Sequence, residues 1–247
     1  MIQCRRMGFA DSLTYLKKLA GDLTGTRDSI IVMPEKWVSD EIIFQSGRFK
    51  DIMDAFSEFS LETRSIFVPG SYSIREGNNV YNRSMAFSAG NYLGFQDKIS
   101  LYRMESERFS SGHSIEAFDC SIFKLGIPVC YDLDFPYFSK VLVQKGVTIS
   151  ANPSLIQDKF HRMWHIYVRG RSLENRMPVI SVNSMSEPFG GDSIVTGMRD
   201  DGDGIILEEE NAGKQEIFFS DLEYLHLPDL VERRRSEDPG YYSLKPF

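Results

Sequence analysis

Three residues far apart in the chain, Glu35, Lys98 and Cys130, carry side chains that together could cleave an amide. Cys130 closes a short apolar run over 126–129 and is followed at once by polar residues, a proline and a helical pattern. Such a junction is expected where a buried strand delivers a side chain into a cleft. Alone it says little, because a cysteine behind a β-branched run is more often a small core hydrophobe. Glu35 and Lys98 change that reading, since each also follows an apolar, strand-like run, and layered α/β folds commonly build sites at the C-terminal ends of strands. A carboxylate can take the thiol proton, and an ammonium can stabilise charge developing on a carbonyl oxygen. The same ammonium lowers the pKa of a thiol that would otherwise titrate near ~8.5.

The elements that must bring these residues together are readable from periodicity. Leu13, Leu16, Leu19, Ala20 and Leu23 recur at helical steps, which predicts an amphipathic helix over 9–23. A strand is expected at 29–33, and a second helix over 39–62 with Phe49, Ile52, Met53, Phe56 and Phe59 on one side. Another strand follows at 66–68. Gly90-Asn91 marks a turn between two strand-like segments within 80–102. Strands are expected at 117–124, 126–130, 147–151 and 179–182, and helices at 136–145 and 159–175. The remainder reads as a hairpin over 193–207 with its loop at 200–204, a last strand at 216–219, and a helix closed by the basic residues 233–235. Residues 1–4 read as a short edge strand. Strands that alternate with helices in some places and follow one another in others imply one layered α/β domain over 1–247 with mixed sheets.

Composition narrows the partners. The chain has 247 residues and a formal charge of −7, which disfavours a nucleic-acid surface. No apolar run approaches the ~20 residues of a membrane helix, and no leader pattern opens the sequence. The three cysteines, Cys4, Cys120 and Cys130, are odd in number and widely spaced, so neither a disulfide framework nor a zinc knuckle is implied. A reducing cytoplasm fits.

The three stretches resemble the motifs of the nitrilase, or carbon–nitrogen hydrolase, superfamily: Met33-Pro34-Glu35, Lys98-Ile99-Ser100-Leu101-Tyr102, and 126–136 around Cys130. The resemblance continues through Asn152-Pro153-Ser154, Trp164, the helix motif Arg169-Gly170-Arg171-Ser172-Leu173-Glu174-Asn175, and Gly191-Asp192-Ser193. It implies a four-layer α-β-β-α sandwich, two mixed sheets face to face with helices outside. It implies Cys130 as nucleophile, Glu35 as general base, Lys98 as oxyanion stabiliser aided by the Tyr131 N–H, and Glu105 as second carboxylate with Glu107 in reserve. Tyr131, Asp134 and Ser154 are the residues expected at the substrate. The implied reaction is hydrolysis of a small amide or carbamoyl-amine through a thioester. Nitrile hydrolysis, acyl transfer, or a binding protein on the same fold use the same framework. No cofactor or metal is implied, and members commonly pair through a helical layer, so a homodimer or larger assembly is expected.

The sequence departs from the family pattern beside the nucleophile. Where Arg and Glu are common, it has Asp134 and Tyr137, and the added negative charge is expected to disfavour carboxylate-bearing substrates. Other suggestive spacings have simpler explanations. His161 and His165 stand four apart as zinc ligands would, but Arg162 occupies the place of the glutamate in a His-Glu-x-x-His motif. Asp201, Asp203, Gly204 and Glu210 fall on calcium-loop positions, but Arg199 holds the first, so a hairpin turn is expected there. Cys4 and Cys120 are expected to be structural, and Arg233 to Arg235 a solvated helix face.

Overall fold

Alternation along the apolar runs decides which layer each strand face meets. In the computed structural model, which describes residues 1–25, 29–221 and 227–237, two six-stranded sheets lie face to face. The first holds β1 (Ile30–Val32), β2 (Glu41–Ile43), β3 (Ile66–Val68), β4 (Ser71–Glu76), β5 (Asn79–Ser88) and β6 (Asn91–Asp97). Its order is β1-β3-β5-β4-β2, with β6 also on β5; β1–β3 and β2–β4 are parallel and the other pairs antiparallel. The second holds β7 (Ala117–Asp119), β8 (Lys124–Gly126), β9 (Ile149–Pro153), β10 (Val179–Val182), β11 (Ile194–Asp200) and β12 (Ile205–Asn211). These run β12-β11-β10-β9-β8-β7, parallel only between β8, β9 and β10.

Ile31, Met33 and Phe67 face the helices α1 (Phe9–Asp22) and α2 (Gly47–Glu62), packing with Leu16, Leu19, Ile52, Phe56 and Phe59. Their neighbours Val32 and Val68 turn the other way and meet Ile149, Ala151, Ile180, Val182 and Val195 of the second sheet. The far face of that sheet is covered by α3 (Pro136–Gln144), α4 (His161–Asn175) and α5 (Leu227–Glu237), through side chains such as Val168 against Val179 and Ile194. The architecture is the expected α-β-β-α sandwich.

Several boundaries differ from expectation. The helix expected over 39–62 begins only at Gly47, where the Ser46 hydroxyl accepts the Phe49 N–H at 3.2 Å, and residues 41–43 form β2 instead. Strand β4 went unanticipated because its buried serines, Ser71 and Ser73, hide the apolar alternation. The run over 117–124 contains a short β7, and β8 starts at Lys124 and ends at Gly126. Residues 127–129 are buried but are not a strand, because Pro128 has no N–H to give a ladder. The expected strands at 1–4 and 216–219 reduce to one bridge between Ile2 and Ile217. The hairpin of β11 and β12 is present, its turn closed by Asp201 Oδ1, which accepts the N–H groups of Asp203 and Gly204.

Candidate active site

Glu35, Lys98 and Cys130 converge where loops leave the two sheets, and all are buried, at 1%, 1% and 7% exposure. Lys98 follows β6 directly, and its Nζ donates to Glu35 Oε1 at 3.0 Å and to Glu105 Oε2 at 2.8 Å. Glu35 follows β1, and its Oε1 also accepts from Asn82 Nδ2 of β5 at 2.7 Å. The Cys130 thiol lies near enough to the Glu35 carboxylate and the Leu155 N–H for each to shift its protonation. A second ammonium, Lys36, lies 2.7 Å from Glu105 Oε1 and 3.9 Å from Glu35 Oε1. Two carboxylates and two ammonium groups thus form a closed ring beside the thiol.

The backbone explains why these groups meet. Cys130 opens a 3-10 turn, Cys130–Asp134, with φ +47°, a left-handed conformation that a non-glycine residue adopts only when its surroundings hold it there. The Asp132 carboxylate does much of that holding. Its Oδ1 accepts the Ser100 N–H at 2.7 Å and the Ile99 N–H at 3.1 Å, while Oδ2 accepts the Val129 N–H at 3.1 Å. One side chain therefore ties the lysine loop to the cysteine turn. Asn152 at the end of β9 donates to Pro128 O at 2.8 Å, and Arg171 of α4 donates to Leu133 O at 2.9 Å and Asp134 O at 2.6 Å, capping the turn's last carbonyls. On the acid side the Glu35 N–H reaches across to Ser154 O of the second sheet at 3.2 Å.

Electrostatics set the resting protonation. Burial alone would raise the Glu35 carboxyl, but the charges of Lys98 and Lys36 outweigh it and hold the group at about 2. Burial raises the Cys130 thiol, and the Glu35 charge adds to this, against the opposing pull of Lys98 and the Leu155 N–H. Lys98 stays protonated, since Glu35, Cys130 and Glu105 overcome the effect of its burial. The resting site therefore carries its proton on sulfur, beside an ionised carboxylate.

These groups line one wall of a cavity of about 670 Å³ whose other walls include Tyr102, Tyr131, Asp134, Trp164 and Tyr167. Of the residues expected at the substrate, Tyr131 and Asp134 face this space and Ser154 does not. Ser154 is fully buried, its hydroxyl held by Asn152 Oδ1 at 2.6 Å, so only its carbonyl serves the site. Glu105 joins the ring while Glu107 is exposed at the end of the same 3-10 turn. His161 and His165 both face Asp192, at 3.4 and 3.7 Å, and the described residues contain no group of three or more ligands suited to a metal. Lys36, Asn82 and Asp132 were missed. Lys36 and Asp132 adjoin residues already singled out, but adjacency in sequence says nothing of where a side chain turns.

Two six-stranded mixed sheets stacked between helices are the fold expected from the resemblance to the nitrilase superfamily. Residues 28–223 match the carbon–nitrogen hydrolase family, and the chain belongs to it: it is a hydrolase of carbon–nitrogen bonds. It is 23% identical to the omega-amidase NIT2 of Danio rerio over 91% of this chain and 87% of that protein. The fold superposes on the crystal structure of Saccharomyces cerevisiae Nit3, a member of branch 10 of the nitrilase superfamily, with a TM-score of 0.70 at 20% identity, covering 98% of this chain and 94% of that one. It superposes on a carbon–nitrogen hydrolase from Helicobacter pylori with a TM-score of 0.72 at 17% identity, covering 96% and 90%.

Proposed function

We propose that the protein is a thiol-dependent amidohydrolase in which Cys130 is the nucleophile, Glu35 the general base and Lys98 the stabiliser of the tetrahedral oxyanion. The observation that carries this reading is the burial of the thiol at one site with a carboxylate that Lys98, 3.0 Å away, keeps ionised. Glu35 takes the thiol proton as sulfur attacks the amide carbon, and negative charge on the oxygen is met by Lys98 Nζ and the Tyr131 N–H. Tyr131 stands in the first turn of the 3-10 segment, where backbone donors lack partners within the helix. Collapse of the intermediate breaks the carbon–nitrogen bond, and Glu35 returns the proton to the departing nitrogen. Water then attacks the thioester, giving its proton to Glu35, and the acid and the free thiol are released. Glu105 holds Lys98 in place through its 2.8 Å contact.

In this reading the chain works as one unit in a reducing cytoplasm, with its cysteines free, on a small amide. The relatives called omega-amidases support an amide as the substrate. A homodimer through α4 is part of the same reading: Met163, Ile166 and Leu173 expose an apolar stripe along that helix, and Gly170 between them leaves room for a second helix to approach. The test is ammonia release over a panel of short amides. Wild type is expected to turn over at least one, and Cys130→Ala none; Glu35→Gln should lose roughly 10²–10⁴-fold or more. Equal ammonia release by wild type and Cys130→Ala would refute the assignment.

A further inference from the structure

We propose that the site takes amides whose acyl portion carries a protonated amine, received by the carboxylate of Asp134. The proposal rests on the amidase reading and adds to it the charge of the substrate. Three carboxylates line the cavity, and two of them are saturated: Glu35 by Lys98 and Asn82, Glu105 by Lys98 and Lys36. Asp134 differs. Its Oδ1 is buried with no hydrogen-bond partner, and among the described residues it has no ion pair.

The guanidinium best placed to neutralise Asp134 is directed elsewhere. Arg171 spends its donors on the backbone carbonyls of Leu133 and Asp134 and on the Glu174 carboxylate. Burial raises the Asp134 carboxyl to about 6, against the pull of Arg171 and Lys98, so it is ionised at neutral pH and unfavourably placed until a donor arrives. A half-buried carboxylate with one oxygen unpaired is a poor resting arrangement and a good receptor for an ammonium group.

The rest of the cavity is consistent with that charge. Tyr102, Tyr131, Trp164 and Tyr167 present aromatic surface, whose electron-rich faces attract cations and not carboxylates. The cavity's remaining cations, Arg103 and Lys159, are exposed and lie over the rings of Tyr102 and Phe160, where water and salt screen them. Asp134 is half-buried and is screened less than they are.

The test compares ω-amino amides of three to six carbons with alkyl amides in which a methyl group replaces the ammonium. Binding is measured by calorimetry on Cys130→Ala, which holds the amide uncleaved, and hydrolysis is measured as ammonia release by the otherwise wild-type enzyme. For at least one chain length the amino amide is expected to bind about tenfold or more tightly than its alkyl partner. That ratio should collapse toward one when Asp134→Asn is added. Taking the ratio within each protein cancels any general damage to the site. Parity between the two series at every length in the parent protein, or a preference that survives Asp134→Asn, would overturn the proposal. An ammonium preference in binding without ammonia release from any amide would leave the proposal standing and remove the amidase reading instead.

Discussion

Among the individual side chains, the notable balance is two ammonium groups against two carboxylates, with the thiol beside them. Lys36 adopts a left-handed φ of +45°, and it is the second of the two cations that depress Glu35. We therefore expect Lys36→Met to raise the Glu35 carboxyl and move the acid limb of the kcat/KM profile to higher pH, with Lys36→Arg restoring it. An unmoved limb would mean that Lys36 only packs. Glu35 also links stability to pH. Its folded value of about 2 lies below the usual 4.5, so the folded state binds fewer protons than the unfolded one in that window. The stability it contributes is complete above pH 4.5 and is lost as pH falls from 4.5 toward 2. Urea unfolding at stepped pH should therefore show wild type losing more than Glu35→Gln over that interval. Parallel curves would contradict the assigned protonation.

Local elements place those side chains, and two positions test how. Asp132 accepts N–H groups from both the lysine loop and the cysteine turn, and asparagine offers one acceptor oxygen in place of two. Asp132→Asn is expected to cost about 2 kcal/mol in unfolding free energy and to slow iodoacetamide labelling of Cys130; unchanged labelling would show that the turn holds its shape without it. Gly70, with φ +84°, follows β3 where an added Cβ would fall 2.0 Å from the Pro34 carbonyl, next to Glu35. Gly70→Ala should displace the acid loop, lowering kcat about tenfold or more along with the thermal midpoint. Full activity would show that the loop can give way. These anchors were only partly legible in the sequence. Pro69-Gly70 was visible as a break after an apolar strand, and Cys130 as the end of an apolar run. The extended strand expected up to Cys130 was wrong, because Pro128 and the backbone bonds to Asp132 and Asn152 turn the chain first. The Asn152 bond joins residues 24 apart and the Asp132 bond depends on where a side chain turns, so periodicity carries no trace of either.

For the whole molecule, helical and strand spacing made most of the layers legible, since buried faces must repeat with the period of the element that buries them. What spacing left out was β4, whose buried serines break the pattern, and β2, whose three residues are too few to show one. The fold matters to the chemistry because Glu35 and Lys98 leave one sheet while Cys130 follows a strand of the other, so the site exists only when the sheets are stacked. The assembly has its own test: Ile166→Glu on the exposed stripe of α4 should convert a dimer to a monomer in sedimentation, and a wild-type monomer would refute the proposed pairing. The central claim, that Cys130 carries the acyl group, is tested most directly by acid-quenching the enzyme during turnover of a short amide and mapping its peptides by mass spectrometry. The mass of the acyl group is expected on the peptide containing Cys130, and on neither Cys4 nor Cys120. Turnover with Cys130 unmodified at every quench time, while another residue carries the acyl mass, would contradict it.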